Sequence, residues 1–347
     1  MRRSAILAAA AAPMLLAGCA GIEYYAQAIS GQLEILRRAE PIARALAEPG
    51  ASASLKARLE RVLAIRAFAS RELALPDNGS YRRYADLGRP YVVWNVFAAP
   101  EFSIKPKESC FPFAGCVSYR GFFSEGDAQK HARLLRAEGY DIFIGGVPAY
   151  STLGWFDDPV LSTFVNYPEA EVARLIFHEL AHQLLYVRDD SSFNESFAVT
   201  VEQEGVARWL KTEGSDAERR AWQTLQQRRR EFVALVQQYR AKLDAYYAQP
   251  GSDEDKRAGK ARLFREMHAD YGELKRAWGG FSGYDRFLAK GANNALLASV
   301  LTYTEFVPAF RALLARGGGD LPGFYAEAKR ISGLHKAERE ARLMRFR

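Results

Sequence analysis

The chain has 347 residues, with 48 lysines and arginines against 41 aspartates and glutamates, five histidines and three cysteines. At 48% apolar content it is too hydrophobic for a disordered protein, and it is long enough for one large domain or two smaller ones. Its longest apolar run falls short of the ~20 residues that a membrane helix needs, which excludes a multi-span membrane protein.

That run comes first. Arg2 and Arg3 precede an apolar stretch, Ala5 to Leu16, which ends Leu16-Ala17-Gly18-Cys19. A basic start, a short apolar core and small residues before a cut mark residues 1–18 as a secretory signal peptide. The ending resembles the bacterial lipobox, which implies a lipid on Cys19 as the first residue of the mature protein. Ala20 in place of an aspartate implies, by the same resemblance, the outer membrane, with the protein facing the periplasm. Cutting away Arg2 and Arg3 takes the net charge from +7 to about +5. The one dense basic run, Arg228-Arg229-Arg230, reads as a solvated helix face, so no nucleic-acid partner is expected.

Residues 19–347 read as a single domain. In 19–85, Tyr25, Ile29, Leu33 and Leu36 recur at helical spacing, as do Leu55, Leu59, Val62 and Phe68. Pro49-Gly50 turns between them, which predicts a helical hairpin closed by the turn residues of 76–80. Residues 86–165 change character. "YVVWNVFAA", "CVSYRGFF" and "YDIFIGGV" are β-branched and aromatic, and Ser124 is placed to cap a helix ending near Gly139. This stretch predicts a small mixed sheet with one crossover helix. Cys110 and Cys116, in a chain that meets an oxidising compartment, predict a small-loop disulfide.

Residues 166–347 read as almost entirely helical. Trp222, Leu225, Phe232, Val236, Tyr239, Leu243 and Tyr246 face Phe264, Met267, Tyr271, Leu274 and Trp278 across the "QPGSDED" turn, an antiparallel hairpin with an apolar seam. The fold class is therefore α+β, predominantly helical, with a small mixed sheet and long helical hairpins.

The chemistry concentrates in "YPEAEVARLIFHELAHQLLYVRDDSSFNESFAVTVEQEGVARWL". Pro168 suits the start of a helix, and Glu169 and Glu171 suit its positive end. Within it stands His178-Glu179-Leu180-Ala181-His182. Residues four apart share a helical face, so both imidazoles reach one metal ion, and Glu179 sits where it can take a proton from water. A catalytic zinc usually takes three protein ligands. The metzincin solution, a histidine six residues after His182, is excluded because Arg188 stands there. The next segment offers Glu195, Glu202 and Glu204. Glu195 has a rival explanation, since Ser192 and Glu195 also spell a capping box. Glu202, seven residues on, shares its face and stays in reserve.

His178-Glu-Leu-Ala-His182 followed by Asn194-Glu-Ser-Phe-Ala resembles the gluzincin metallopeptidases, whose third ligand is a glutamate on the next helix. More broadly, the mature chain resembles a proteobacterial lipoprotein family described as putative zinc aminopeptidases. The matching stretches include "YYAQAISGQLEIL", "WNVFAAPEFS", "CFPFAGCVSYRGFF", "GGVPAYSTLGWFDDPVLSTF" and "NNALLASVLTYTEFVPAF". The resemblance implies a zincin-like core, one zinc ion on His178, His182 and Glu195, and peptide hydrolysis with Glu179 as base. It points to Tyr303 as oxyanion donor, with Tyr284 and His268 as weaker candidates. Two departures stand out. The interval from His182 to Glu195 is shorter than in gluzincin aminopeptidases, which keeps Glu202 in play. The segment expected to bind substrate, Ile142 to Ser151, holds Gly145, Gly146 and Tyr150 but no acid for a free amine, leaving Asp157, Asp158 or Glu202. Competing readings are an envelope lipoprotein with a structural metal, and an endopeptidase or amidase acting on cell-wall peptides.

Overall fold

Helices dominate residues 23–111, 115–289 and 291–346, which the computed structural model describes. The expected signal peptide, 1–18, and the expected lipid site, Cys19, lie outside them. The first helix, α1, covers 23–38. A two-residue strand, β1 (Glu40–Pro41), then separates it from the short α2 (Ile42–Ala47), so the first arm of the expected hairpin is broken. Proline at position 41 accounts for the break, because it removes a donor and blocks the preceding turn. The second arm is intact. In α3 (Ala53–Leu73) the Ser52 hydroxyl accepts the Leu55 amide at 3.1 Å, and the helix ends at Ala74 in the left-handed conformation.

The expected small mixed sheet is present, but most strands of 86–165 lie outside it, and among the described residues the strands form three small sheets. β2 (Arg83–Ala85) pairs antiparallel with β1 and parallel with β8 (Val160–Leu161), so the mixed pairing draws on Glu40, far outside 86–165. β3 (Val93–Pro100) is the centre of an antiparallel sheet between β6 (Arg120–Phe122) and β7 (Tyr140–Val147). β4 (Ser109–Phe111) and β5 (Gly115–Val117) form a ribbon closed by the Cys110–Cys116 disulfide. The physical reason is two-sided burial. Alternate residues of β3, Trp94, Val96 and Ala98, cover α4 (Glu125–Ala137), while Phe97 and Ala99 pack against the C-terminal helices. A strand covered on both faces reads as one apolar run and gives no clue to its partners. Ser124 caps α4 as expected, accepting the Asp127 amide at 3.3 Å.

Beyond Pro168 the chain is helical. α5 (Glu169–Leu184) and α6 (Ser191–Glu213) lie side by side and antiparallel, followed by the hairpin of α7 (Asp216–Tyr247) and α8 (Asp253–Ala277). The short α9 (Asp285–Leu288) leads to α10 (Asn294–Thr302), α11 (Val307–Arg316), α12 (Leu321–Ser332) and α13 (Lys336–Met344). The largest core joins α3, α5, α6, α11 and α12; a second fills the α7–α8 seam against α10. α5 runs through the first of these, with side chains buried on every face from Val172 to His182 except Arg174. Gly205 makes that approach possible, since a Cβ there would stand 2.7 Å from the Phe177 ring and 2.8 Å from Leu73. Among the described residues no helix is long and apolar enough to cross a membrane. The fold is predominantly helical α+β.

Candidate metal centre

α5 carries His178 and His182 one turn apart, and α6 brings Glu195 against both. The two imidazole Nε2 atoms stand 3.2 Å apart, and Glu195 Oε2 lies 3.2 Å from His178 Nε2 and 3.6 Å from His182 Nε2. All three side chains are buried, and they form a group able to hold a metal ion. Glu195 Oε2 has no hydrogen-bond partner among the described residues, and neither has His182 Nδ1. A buried carboxylate oxygen left without a donor, facing two ring nitrogens, is a donor set built for a cation.

The capping-box alternative for Glu195 does not form. α6 starts at Ser191, and the cap is Asp190, whose carboxylate accepts the Phe193 amide at 3.1 Å. Asp190 is itself held by a buried ion pair with Arg339 at 2.7 Å. The neighbours of Glu195 each hold the turn in place. Asn194 Oδ1 accepts the Val187 amide and its Nδ2 donates to the Val187 carbonyl, both at 2.7 Å, closing the short loop between the ligand helices. Ser196 Oγ accepts the Phe306 amide at 3.0 Å and so ties α6 to the segment just after Tyr303. From the other side Asp189 Oδ1 accepts the Cys116 amide at 2.6 Å, which docks the disulfide ribbon on this loop.

Glu202 stands one layer out. His178 Nδ1 donates to its Oε2 at 2.9 Å, Arg174 to the same oxygen at 3.0 Å, and Arg229 to Oε1 at 3.2 Å. It is thus the carboxylate that orients His178 and turns its Nε2 towards Glu195. Arg229 belongs to the basic run expected to face solvent. Successive residues on a helix point about 100° apart, and here only Arg230 of the three is exposed, while Arg229 turns in to Glu202.

Electrostatics follow from burial and pairing. Burial opposes ionisation of Glu202, but Arg174, the His178 hydrogen bond and Arg229 outweigh it and hold the carboxyl at about 2. Glu195 is likewise held at about 2, the two histidines overcoming its desolvation. Burial disfavours the His178 cation, yet Glu195 and Glu202 push its pKa up to about 10. Surroundings that hold a proton this firmly also favour a metal cation. Glu179 is buried beside the group, and desolvation raises its carboxyl despite both histidines.

Two phenols flank the carboxylates. Burial raises Tyr303 and Tyr119 well above the ordinary tyrosine value, and in both the Glu195 charge adds to the rise. Both therefore stay protonated and are hydrogen-bond donors at neutral pH. Tyr119 was not among the residues expected from sequence. Its signal is the pleat: its ring packs 5.3 Å from Phe97, on the helix-facing side of β3. Gly145, Gly146 and Tyr303 line one cavity of about 470 Å³ with Tyr284. The missing side chain of Gly146 is taken up by the Tyr91 ring, 2.3 Å from where a Cβ would stand, and so opens no room for a ligand. Tyr150 does not line the cavity; it packs edge-on against Phe123. His268 is exposed on α8. Asp158 is committed to Thr152, accepting its amide at 2.9 Å and its hydroxyl at 2.8 Å, and Asp157 crowds Gly79.

The family model described as "Putative aminopeptidase" matches residues 23–343. The chain belongs to this family. The match takes in all three members of the metal group, Glu179 and both phenols, and it makes the aminopeptidase family's kind of activity, a peptidase's, the frame for the site. No curated protein and no solved structure matches the chain.

Proposed function

We propose that the protein is a zinc-dependent peptidase, an aminopeptidase of gluzincin type, anchored in the bacterial envelope. The observation that carries this reading is the meeting of His178, His182 and Glu195 with Glu179 beside them, inside a chain of the aminopeptidase family. Two imidazoles and a carboxylate are a donor set of catalytic zinc, and ligands ~2.0–2.1 Å from a tetrahedral ion stand about 3.4 Å apart. The separations of 3.2, 3.2 and 3.6 Å fit that figure. The group numbers three among the described residues, where a structural site usually closes with four, which favours catalysis over the purely structural metal.

When bound, zinc supplies Lewis acidity, polarising a peptide carbonyl and making water a stronger acid. Glu179, its carboxylate made more basic by burial, accepts a proton from the attacking water and delivers it to the leaving amine. Tyr303 and Tyr119, both protonated, donate to the oxygen on which negative charge develops. Glu202, pinned by two arginines, keeps His178 in one tautomer with Nε2 presented to the ion.

The anchor rests on the basic start, the apolar run and Cys19, and on an apolar stripe of Tyr25, Ile29 and Leu33 left exposed on the helix that follows. The same features favour the periplasmic face of the outer membrane.

A mixed peptide library decides the reading. Zinc-loaded wild type should cleave it from the amino end, and Glu179→Gln should keep its zinc while losing about 10²–10⁴-fold in rate. Equal cleavage by the variant would remove Glu179 from the chemistry, and internal cuts would make the enzyme an endopeptidase.

A further inference from the structure

The cavity of about 470 Å³ lies between the helix-facing side of β3 and β7 and the helices α7 and α10. It is within the size range of pockets that enclose small ligands. Its wall is aromatic: Phe232 and Tyr284 stack in parallel at 4.1 Å between ring centres, and Phe143 and Phe287 stack at 5.9 Å. Tyr303 belongs to both places, since it lines the cavity and lies close enough to Glu195 and Glu179 to feel their charges. The charged groups on the lining are already committed. Glu171 accepts from Arg174 at 2.8 Å, and Arg174 and Arg229 both donate to Glu202. What remains for a guest is largely apolar and flat, and the lining is joined to the metal group through Arg174 and Arg229, which hold Glu202 against His178.

Gly145 supplies the floor. It stands opposite Asn95 on β3, on the side that carries Phe97 and Phe143. A Cβ there would meet only the edge of the Phe143 ring, at 3.3 Å, so a side chain can be added and would project into the cavity.

We propose that this cavity is the subsite that receives a large apolar side chain, above all an aromatic one, from the substrate residue flanking the scissile bond. The inference rests on the peptidase reading and names its substrate class: peptides with phenylalanine, tyrosine, tryptophan or leucine at that position. Charged side chains are excluded, because no unpaired charge on the lining would repay their desolvation.

Binding tests this apart from turnover. The zinc-loaded full chain carrying Glu179→Gln is titrated calorimetrically with phenylalanine amide and with alanine amide. Burying the ring should favour the phenylalanine compound by roughly tenfold or more. Adding Gly145→Val should cut that ratio to about threefold or less, and Val300→Phe, which fills the cavity from α10, should do the same. The two variants serve as mutual controls should one fail to fold. In parallel, the library cut by wild type should be enriched in aromatic residues on one side of the cleavage point. Equal binding of the two amides, or a ratio unchanged in a folded, zinc-loaded Gly145→Val, overturns the subsite. Absence of any cleavage by zinc-loaded wild type would instead defeat the peptidase reading, while the amide ratio would still decide whether the cavity selects aromatic side chains.

Discussion

The chain folds two long helical hairpins next to each other, and they are built on opposite plans. In α7–α8 one stripe is apolar and the rest faces water: Val236, Leu243 and Met267 fill the seam, while Arg262 and Glu266 pair on the outside at 3.1 Å. In α5–α6 there is no wet face along the contact, and the interior holds His178, Glu179, His182, Glu195 and Glu202. A hairpin that only needed to be stable would follow the first plan, because burying ionised groups costs several kcal/mol per ion before pairing repays it. The second plan is the mark of a site. Its charges survive burial only because each is matched, two histidines against Glu195, and two arginines and a histidine against Glu202.

Removing a charge from α5–α6 should therefore do the most damage. Glu202→Ala leaves Arg174, Arg229 and the His178 ring without their acceptor and should cost about 3–5 kcal/mol in a denaturant melt. It should also weaken zinc affinity about 10–100-fold through the loss of His178 orientation. In α7–α8 the damaging change is apolar. Met267→Ala should cost about 2–5 kcal/mol by opening a cavity in the seam, with zinc content unchanged. If Met267→Ala strips the metal as Glu202→Ala does, the two hairpins are one cooperative unit and the contrast fails. The smallest effect belongs to the outer face of the same hairpin. Arg262→Ala breaks a pair whose side chains are 55% and 41% exposed and should shift stability by less than about 1 kcal/mol.

The same contrast explains what the sequence disclosed. The α7–α8 hairpin was legible because an amphipathic stripe has a period; from Phe232 on the seam falls on the expected residues, with Leu263 and Tyr247 buried more deeply than Phe264 and Tyr246, while Trp222 and Leu225 join the other core. His178, Glu179 and His182 were legible because a single helix fixes their spacing. What joins separate segments was not. Whether Glu195 or Glu202 faces the histidines depends on where α6 begins, and Asp190 rather than Ser192 caps it. Arg229 looked solvated because composition cannot say which of three consecutive arginines turns inward. Tyr119 comes from the bend between β5 and β6, some sixty residues before His178, and the pairing of β6 with β3 next to it sets its ring beside Phe97. The three-sheet arrangement was hidden for a related reason: β2 and β8 are two or three residues long, too short to show a period.

The central claim is that α6 offers one carboxylate to a metal and keeps the other to hold a ligand histidine. Anomalous diffraction at the zinc edge from zinc-loaded crystals tests it directly. The account predicts one ion, ~2.0–2.2 Å from His178 Nε2, His182 Nε2 and a Glu195 oxygen, with Glu202 still bonded to His178 Nδ1. An ion bound through Glu202, or none at this group, would contradict it.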